Sequence, residues 1–564
     1  MPRPTSHHWM GVAKTLIAPL RTVVLVTGVL RGVPVAAQAS LPPVAPRMSC
    51  AALRDFDPQL SEAPTHVTDA RDMQIDGRPM CVVTGYVSPQ IRFEVRLPLQ
   101  GWTQRYLQTG CGGLCGTLAV RAPQRTCPML QRGEFAMAST DMGHQGQGGS
   151  WGALDPQLRV DFAYRGVHHT ALVAKALIAR FYGQPPRWSY FSGCSDGGRE
   201  GLMEAQRYPA DFDGVAAGAP AFNFLVQNSF YHAWNARSVA PDGHAVLLAS
   251  DLPVLHAAAL AACDTLDGLR DGIIASPPAC HFRPTTVECR THGPVPCLSH
   301  AAVAAAAAIY DGAHSTTGDR LVIGGPQPGS ELAWEGVFVP ASADAPLLSA
   351  MIASDMLRSL AYWRPLAATW TLSQFQFTTA SLDGLLPMHG LYDATDPDLR
   401  AFARRGGKLL LWHGWSDPHI SPFNSIAYAQ AVTDRLGATA ARDVLRLFLI
   451  PGLYHCGGGE GNTSVDVLTP LMQWVEQGRA PEVMVASRDD STAAESSRPI
   501  FAFPATSALV PGMNPELPTS WRAGPSLPVP PKLYAGWAGA RLFDAGSRQE
   551  CGFDGPTFTC KAAP

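Results

Sequence analysis

A serine set between two glycines is the first feature of this chain able to do chemistry: Gly193-Cys194-Ser195-Asp196-Gly197. Trp188 to Phe191 is apolar and aromatic, which suits a strand, and Glu200 to Arg207 reads as a helix. A serine on such a strand-to-helix turn exposes its hydroxyl. Glycines two residues to either side let strand and helix approach. The helix N-terminus favours negative charge where it develops. The chemistry is acyl transfer, and a serine hydroxyl needs a base to perform it. The partners should follow in the order acid, then histidine, each after a strand. Lys408 to Trp412 is an apolar strand, and the turn after it ends in Asp417. A second strand, Asp443 to Ile450, leads through Pro451-Gly452-Leu453-Tyr454 to His455. Ser195 is thus the expected nucleophile, His455 the general base and Asp417 the group that orients it. His413 and His419 flank Asp417 as loop or pocket histidines, and Asp393 and Asp396 read as cap or turn residues.

Two backbone N–H groups must receive the oxyanion. Asp196, directly after the nucleophile, supplies one. Arg105 to Gly116 reads as an early strand and a glycine loop, which offers Gly112 in preference to Gly113 for the other. Cys194 precedes the serine and Cys456 follows the histidine. If Ser195 and His455 meet, their neighbours come within bonding range, and a Cys194–Cys456 disulfide would pin nucleophile to base.

These residues need a scaffold. The chain has 564 residues, 46% of them hydrophobic and 16% charged, enough for a large core. A net charge of -3 lacks the basic excess that would track a phosphate backbone, so nucleic acid is not an expected partner. Arg3, Lys14 and Arg21 precede the apolar run Thr22 to Leu30, and Ala37-Gln38-Ala39 offers a cleavage site. Residues 1–39 therefore read as an export leader, and the run falls short of the about 20 residues a membrane span needs. Thirteen cysteines suit an oxidising compartment, secreted or periplasmic, and the odd number leaves at least one unpaired within the chain. Strand and helix signals alternate through residues 40–220, give way over 221–386 to alanine-rich helix (Ala301 to Ala308) and proline-glycine loops, and resume over 387–564, where Ser425 to Leu436 reads as a helix. The expected fold class is α/β: an α/β-hydrolase core with a large inserted lid domain over 221–386. A tail rich in proline, glycine and serine follows from about Pro504 and should wrap over the core.

The stretches Gly-Cys-Ser-Asp-Gly-Gly-Arg-Glu around Ser195, His-Gly-Trp-Ser-Asp ending at Asp417 and Tyr-His-Cys ending at Cys456 resemble the tannase/feruloyl esterase family. The resemblance runs from about Cys50 to Cys560. It implies the same triad and the Cys194–Cys456 disulfide. Asp264, Asp267 and Asp271, with Gly268 and Gly272 between and after them, form a loop of hard oxygen donors suited to Ca²⁺ or to plain solvated turns. The resemblance implies a structural calcium in the lid, held by those three side chains and the carbonyls of Leu269 and Ile273. Cys263–Cys280 would bracket the loop. Cys289–Cys297, Cys551–Cys560 and Cys50–Cys81 complete the expected pairs. Cys111, Cys115 and Cys127 then hold one further pair and one free thiol.

The expected activity is hydrolysis of a small aromatic ester, feruloyl or galloyl first, with no nucleic-acid or membrane partner. A terephthalate monoester is the alternative, and its free carboxylate would need a cation such as Arg358 or Arg364. A serine peptidase and a catalytically dead calcium-dependent binding module are the remaining readings. Phe222, Phe224, Trp334, Phe338, Trp363, Trp370, Phe375 and Phe377 are the aromatics of the inserted region, most of them expected in core rather than pocket.

Overall fold

The computed structural model of the protein describes residues 41–58, 64–121, 127–153, 155–236, 244–289, 296–488 and 496–563. The leader expected at 1–39 lies outside them. Among the described residues, nine strands build the main sheet. They are β1 (Thr65–Ile75), β2 (Arg78–Val87), β3 (Ile91–Pro98), β4 (Arg105–Thr109), β5 (Phe135–Thr140), β6 (Trp188–Cys194), β7 (Gly214–Gly218), β8 (Lys408–Gly414) and β9 (Leu445–Ile450). Their spatial order is β1-β2-β3-β5-β4-β6-β7-β8-β9. Pairings from β1 through β3 to β5 are antiparallel, and those from β5 through β4 to β9 are parallel.

The sequence explains this division. β3, Ile-Arg-Phe-Glu-Val-Arg-Leu-Pro, alternates buried and half-buried residues, as a strand with one solvated face should. β4, β7 and β9 are nearly continuous buried runs, as parallel strands covered on both faces should be. Successive residues feed opposite cores. Tyr106, Phe191, Leu409 and Leu447 face one layer, while Leu107, Tyr190, Leu410 and Phe448 face the other. The helices Gly166–Tyr182 and Pro422–Leu436 pack into the first layer and Leu468–Gln477 into the second.

Two boundaries differ from the sequence reading. The helix expected from Ser425 starts at Pro422, because proline suits the first helical turn. The strand expected from Asp443 starts at Leu445, since Asp443 closes a short helix, Ala438–Val444, rich in alanine.

Between β7 and β8, the described residues of 219–407 add no strand to the sheet. This insertion has its own core, in which Leu255, Val303, Ile309 and Phe338 gather around Trp334. Phe222 and Phe224 belong instead to the main core, and Trp370, Phe375 and Phe377 lean on it. The tail folds back as expected. Its Gln549–Asp554/Thr557–Ala562 hairpin meets the core where the Cys551 N–H donates to Tyr164 Oη at 3.1 Å.

One ion pair ties the second layer to the sheet. Arg105 on β4 is fully buried and donates to both Glu476 oxygens, at 2.7 and 2.5 Å, while Tyr190 Oη donates to Oε1 at 2.7 Å. Removing one partner leaves a buried charge uncompensated. Glu476→Ala is expected to lower unfolding free energy by about 3–5 kcal/mol in chemical denaturation. A change within ~0.5 kcal/mol, the range of ordinary surface substitutions, would contradict that role.

Candidate active site

The carboxyl ends of parallel strands in an open α/β sheet are where such folds place ligands. Here four of those ends carry the residues singled out in the sequence. β4 leads to the Gly110–Gly116 loop, β6 to Ser195, β8 to Asp417 and β9 to His455. The parallel register aligns them without further instruction.

Ser195 sits at φ +64°, immediately before the helix Asp196–Arg207. That conformation is costly for a residue with a Cβ, on the order of 1–3 kcal/mol. Its surroundings enforce it. The Ser195 N–H donates to the Gly218 carbonyl at 3.0 Å, and the Ser195 carbonyl accepts from Ala221 and Arg199 N–H at 3.0 and 3.1 Å. Glycines make the turn possible. A Cβ on Gly193 would lie 2.5 Å from the Gly197 backbone, and one on Gly197 would lie 2.8 Å from the Cys111 carbonyl oxygen.

The acid and base meet. His455 Nδ1 and Asp417 Oδ2 are 2.7 Å apart. Asp417 is fully buried, and Oδ1 accepts the N–H groups of His419 and Ile420 at 2.8 and 3.0 Å. His413, also buried, brings Nε2 to 3.2 Å from Oδ2. Burial alone would raise the Asp417 carboxyl; His455 and His413 outweigh it and hold the group well below the usual carboxylate range. The result is a fixed negative charge at Nδ1, which leaves Nε2 as the basic nitrogen of neutral His455.

Ser195, His455, Gly112 and Gly113 line one cavity of about 790 Å³. A Cβ on either glycine would meet nothing within 4 Å, so open space and not packing surrounds them. As the first residue of its helix, Asp196 has an N–H with no intrahelical acceptor. Its carboxylate is drawn into the protein, where Arg199 Nε donates to Oδ1 at 2.6 Å. Glu200, fully buried beneath the glycine loop, accepts the Cys111 N–H at 3.3 Å. Burial, with Asp196 beside it, pushes the Glu200 carboxyl well above its usual range.

The expected disulfides are present, and Cys194–Cys456 joins the turns of nucleophile and base with Cα atoms 5.9 Å apart. The pairing left open in the sequence is Cys111–Cys115, which closes the glycine loop on itself, and Cys127 is the buried free thiol. Asp393 and Asp396 stand apart from the triad. Asp393 lies 2.7 Å from His389 Nδ1, and Asp396 caps a turn through the Asp398 N–H.

Other cavity walls come from distant parts of the chain, and sequence spacing gave no hint of them. Gln227, Asn228 and His232 follow β7; Leu348, Met351, Ile352, Asp355 and Met356 follow far later in the insertion; Arg121 follows the glycine loop. Among the inserted aromatics only Phe224 reaches this cavity, and Arg358 and Arg364 do not line it. Arg121 is the cation on its wall among the described residues.

The aspartate loop carries its own cation. Arg498 donates to Asp267 Oδ2 at 2.5 Å and to Asp271 Oδ2 at 3.2 Å. Asp264 accepts the N–H groups of Asp271 and Gly272, both at 3.2 Å. The three carboxylates do not all lie within 4.8 Å of one another. Burial raises the Asp271 carboxyl, Arg498 opposes this, and Asp267 adds to it. Three carboxylates against one guanidinium leave excess negative charge, and their hard oxygens are the donor type that Ca²⁺ takes, though it is Arg498 that spans Asp267 and Asp271 in this arrangement.

A serine elbow on β6, an acid after β8 and a histidine after β9, all on a parallel sheet, define an α/β-hydrolase. The tannase and feruloyl esterase family model matches residues 77–510. The chain is 33% identical over 520 residues to a mono(2-hydroxyethyl) terephthalate hydrolase of Piscinibacter sakaiensis, covering 79% of this chain and 82% of that one. It is 34% identical over 431 residues to a probable feruloyl esterase of Arthroderma benhamiae, covering 72% and 77%. The solved structure of feruloyl esterase B from Aspergillus oryzae superposes with a TM-score of 0.73 at 26% identity, covering 82% of this chain and 97% of that one. The chain belongs to the tannase/feruloyl esterase family and is a carboxylic ester hydrolase.

The disulfide at the elbow gives a test. With Cys194 and Cys456 both replaced by alanine, stability should fall by about 2–5 kcal/mol, read from the denaturation midpoint. Turnover should fall with it, because the turns of Ser195 and His455 lose their direct link. Unchanged kcat/KM would show that the strand ends position the triad unaided.

Proposed function

We propose that this protein hydrolyses esters of phenolic aromatic acids, such as feruloyl or galloyl esters, through an acyl-enzyme on Ser195. The observation that carries the reading is the Asp417–His455 contact of 2.7 Å beside a serine on the same cavity. His455 Nε2 takes the Ser195 hydroxyl proton as Oγ attacks the ester carbonyl. The Asp196 and Gly112 N–H groups receive the oxyanion. His455 returns the proton to the leaving alcohol, and water then releases the acid by the same steps reversed. Leu348, Met351, Ile352 and Met356 offer an apolar wall for an aromatic ring, with adaptable thioethers among them.

Arg121 favours a second reading, a terephthalate monoester, because a guanidinium on the cavity wall suits a free carboxylate. Rates on methyl ferulate, methyl gallate and a terephthalate monoester decide between the two. Turnover of the first two supports the phenolic reading, and turnover of the monoester alone replaces it. A matched amide left intact excludes the peptidase. Ser195→Ala should abolish hydrolysis, and Asp417→Asn should lower kcat by roughly 10⁴-fold through the wrong imidazole tautomer. No hydrolysis by the wild type on any of these esters, with ligand binding unchanged in Ser195→Ala, would leave only the binding-module reading.

Export to an oxidising compartment belongs to the same proposal. Its support is the six disulfides among the described residues and the leader-like sequence of residues 1–39. No helix among the described residues is long and apolar enough to cross a membrane. Calcium would sit at Asp264, Asp267 and Asp271, with the carbonyls of Leu269 and Ile273, and hold the inserted region without a part in the chemistry. Chelation is then expected to lower the thermal midpoint, with added Ca²⁺ restoring it. A midpoint indifferent to both would show that Arg498 alone balances the loop.

A further inference from the structure

His419 is a second imidazole beside the base, and its surroundings leave its ring without employment in the fold. Its backbone is held on both sides: the N–H donates to Asp417 at 2.8 Å, and the carbonyl accepts from Gln227 Nε2. Its ring centroid is 4.7 Å from that of His455 and 6.0 Å from that of His232. It lines the cavity that holds Ser195. Among the described residues, neither ring nitrogen of His419 has a hydrogen-bond partner. The two neighbouring imidazoles are committed. His455 Nδ1 faces Asp417, and His232 Nδ1 lies 2.9 Å from Ser349 Oγ.

Partly enclosed polar groups left unpaired are costly, so such a ring is matched by water or by ligand. The chemistry of the match is constrained. Burial, with His455 beside it, pushes the His419 imidazole down to about 4. At neutral pH it is an uncharged ring with one donor and one acceptor, which suits a hydroxyl better than a carboxylate. Position narrows it further. His455 hands its proton to the departing alcohol, so a ring against His455 borders the alcohol half of the ester and not the acyl half.

We propose that His419 is a specificity-determining residue that hydrogen-bonds a hydroxyl on the alcohol half of the substrate. The inference rests on the assignment of Ser195, Asp417 and His455 made above.

The test uses the full-length protein and four substrates: the methyl and 2-hydroxyethyl esters of ferulic acid and of cinnamic acid, which lacks the phenolic hydroxyl. Wild type should favour each 2-hydroxyethyl ester over its methyl counterpart by roughly tenfold in kcat/KM, the discrimination of one hydrogen bond. His419→Phe keeps an aromatic ring against His455 but removes the nitrogens. It should erase that preference, lowering kcat/KM for the 2-hydroxyethyl esters about tenfold more than for the methyl esters. His419→Gln, which restores a donor and an acceptor, should recover part of it. An equal loss on both alcohols would overturn the proposal, as would a loss that follows the phenolic hydroxyl, which would move the ring to the acyl side. Should His419→Phe fail to fold, absence of any alcohol preference in wild type overturns the proposal alone. The underlying assignment fails separately, if Ser195→Ala still cleaves any of the four esters.

Discussion

Between β6 and the helix that follows it there is no room for a side-chain carbon, and the site depends on that close approach. Gly193 and Gly197 touch backbone to backbone, and a Cβ on Gly198 would sit 2.4 Å from the Gly218 carbonyl oxygen. Because the helix begins so near the strand, the turn has space for a single residue, Ser195, at positive φ. The same crowding starts the helix directly after the serine, which puts Asp196 on the cavity wall. The Gly197 N–H is fixed on the Cys111 carbonyl at 2.8 Å, which brings the glycine loop alongside. Nucleophile and both expected oxyanion donors therefore share one steric cause.

The base is positioned by charge. Asp417 lies in the protein with two backbone N–H groups on one oxygen and two imidazoles near the other. Donors of this number keep a buried carboxylate ionised. His413 is part of that arrangement: its Nδ1 lies 2.8 Å from Ser425 Oγ and its Nε2 3.1 Å from the Ile420 carbonyl, so the β8 turn is braced from below. The Cys194–Cys456 bond adds a covalent link between this electrostatic half and the steric half.

The insertion between β7 and β8 supplies Leu348, Met351, Ile352, Asp355 and Met356 to the cavity wall. Its helix Leu348–Asp355 is docked through Asp355, whose Oδ2 accepts the Gly149 N–H at 3.0 Å. It places flexible apolar side chains over the serine while the sheet supplies the rigid polar groups. Arg498 performs a related task elsewhere, reaching from the second half of the core to the aspartate loop of the insertion. Charge pairing thus anchors the insertion to the core.

Sequence by itself determined the class of fold, the strand-end placing of Ser195, Asp417 and His455, their order and the disulfide at the elbow. Each is written within about a dozen residues as a strand followed by a turn, and strand-turn geometry obeys local sterics and hydrogen bonding. Local pairs such as Cys551–Cys560 were legible for the same reason, as was the long Cys194–Cys456 pair, since its partners adjoin residues that must meet. Tertiary structure alone decided what surrounds the triad. Arg121, His232 and the Met351–Asp355 pair come from three separate stretches, and only the packing of the insertion on the sheet gathers them. It also decided between the two fates open to His413 and His419. One became a buried brace and the other a ring on the cavity wall, because His413 lies within β8 while His419, alone among its neighbours in the turn beyond, is only half-buried. The pairing of Arg498 with Asp267 was equally invisible, since charge attraction across more than two hundred residues leaves no mark in spacing.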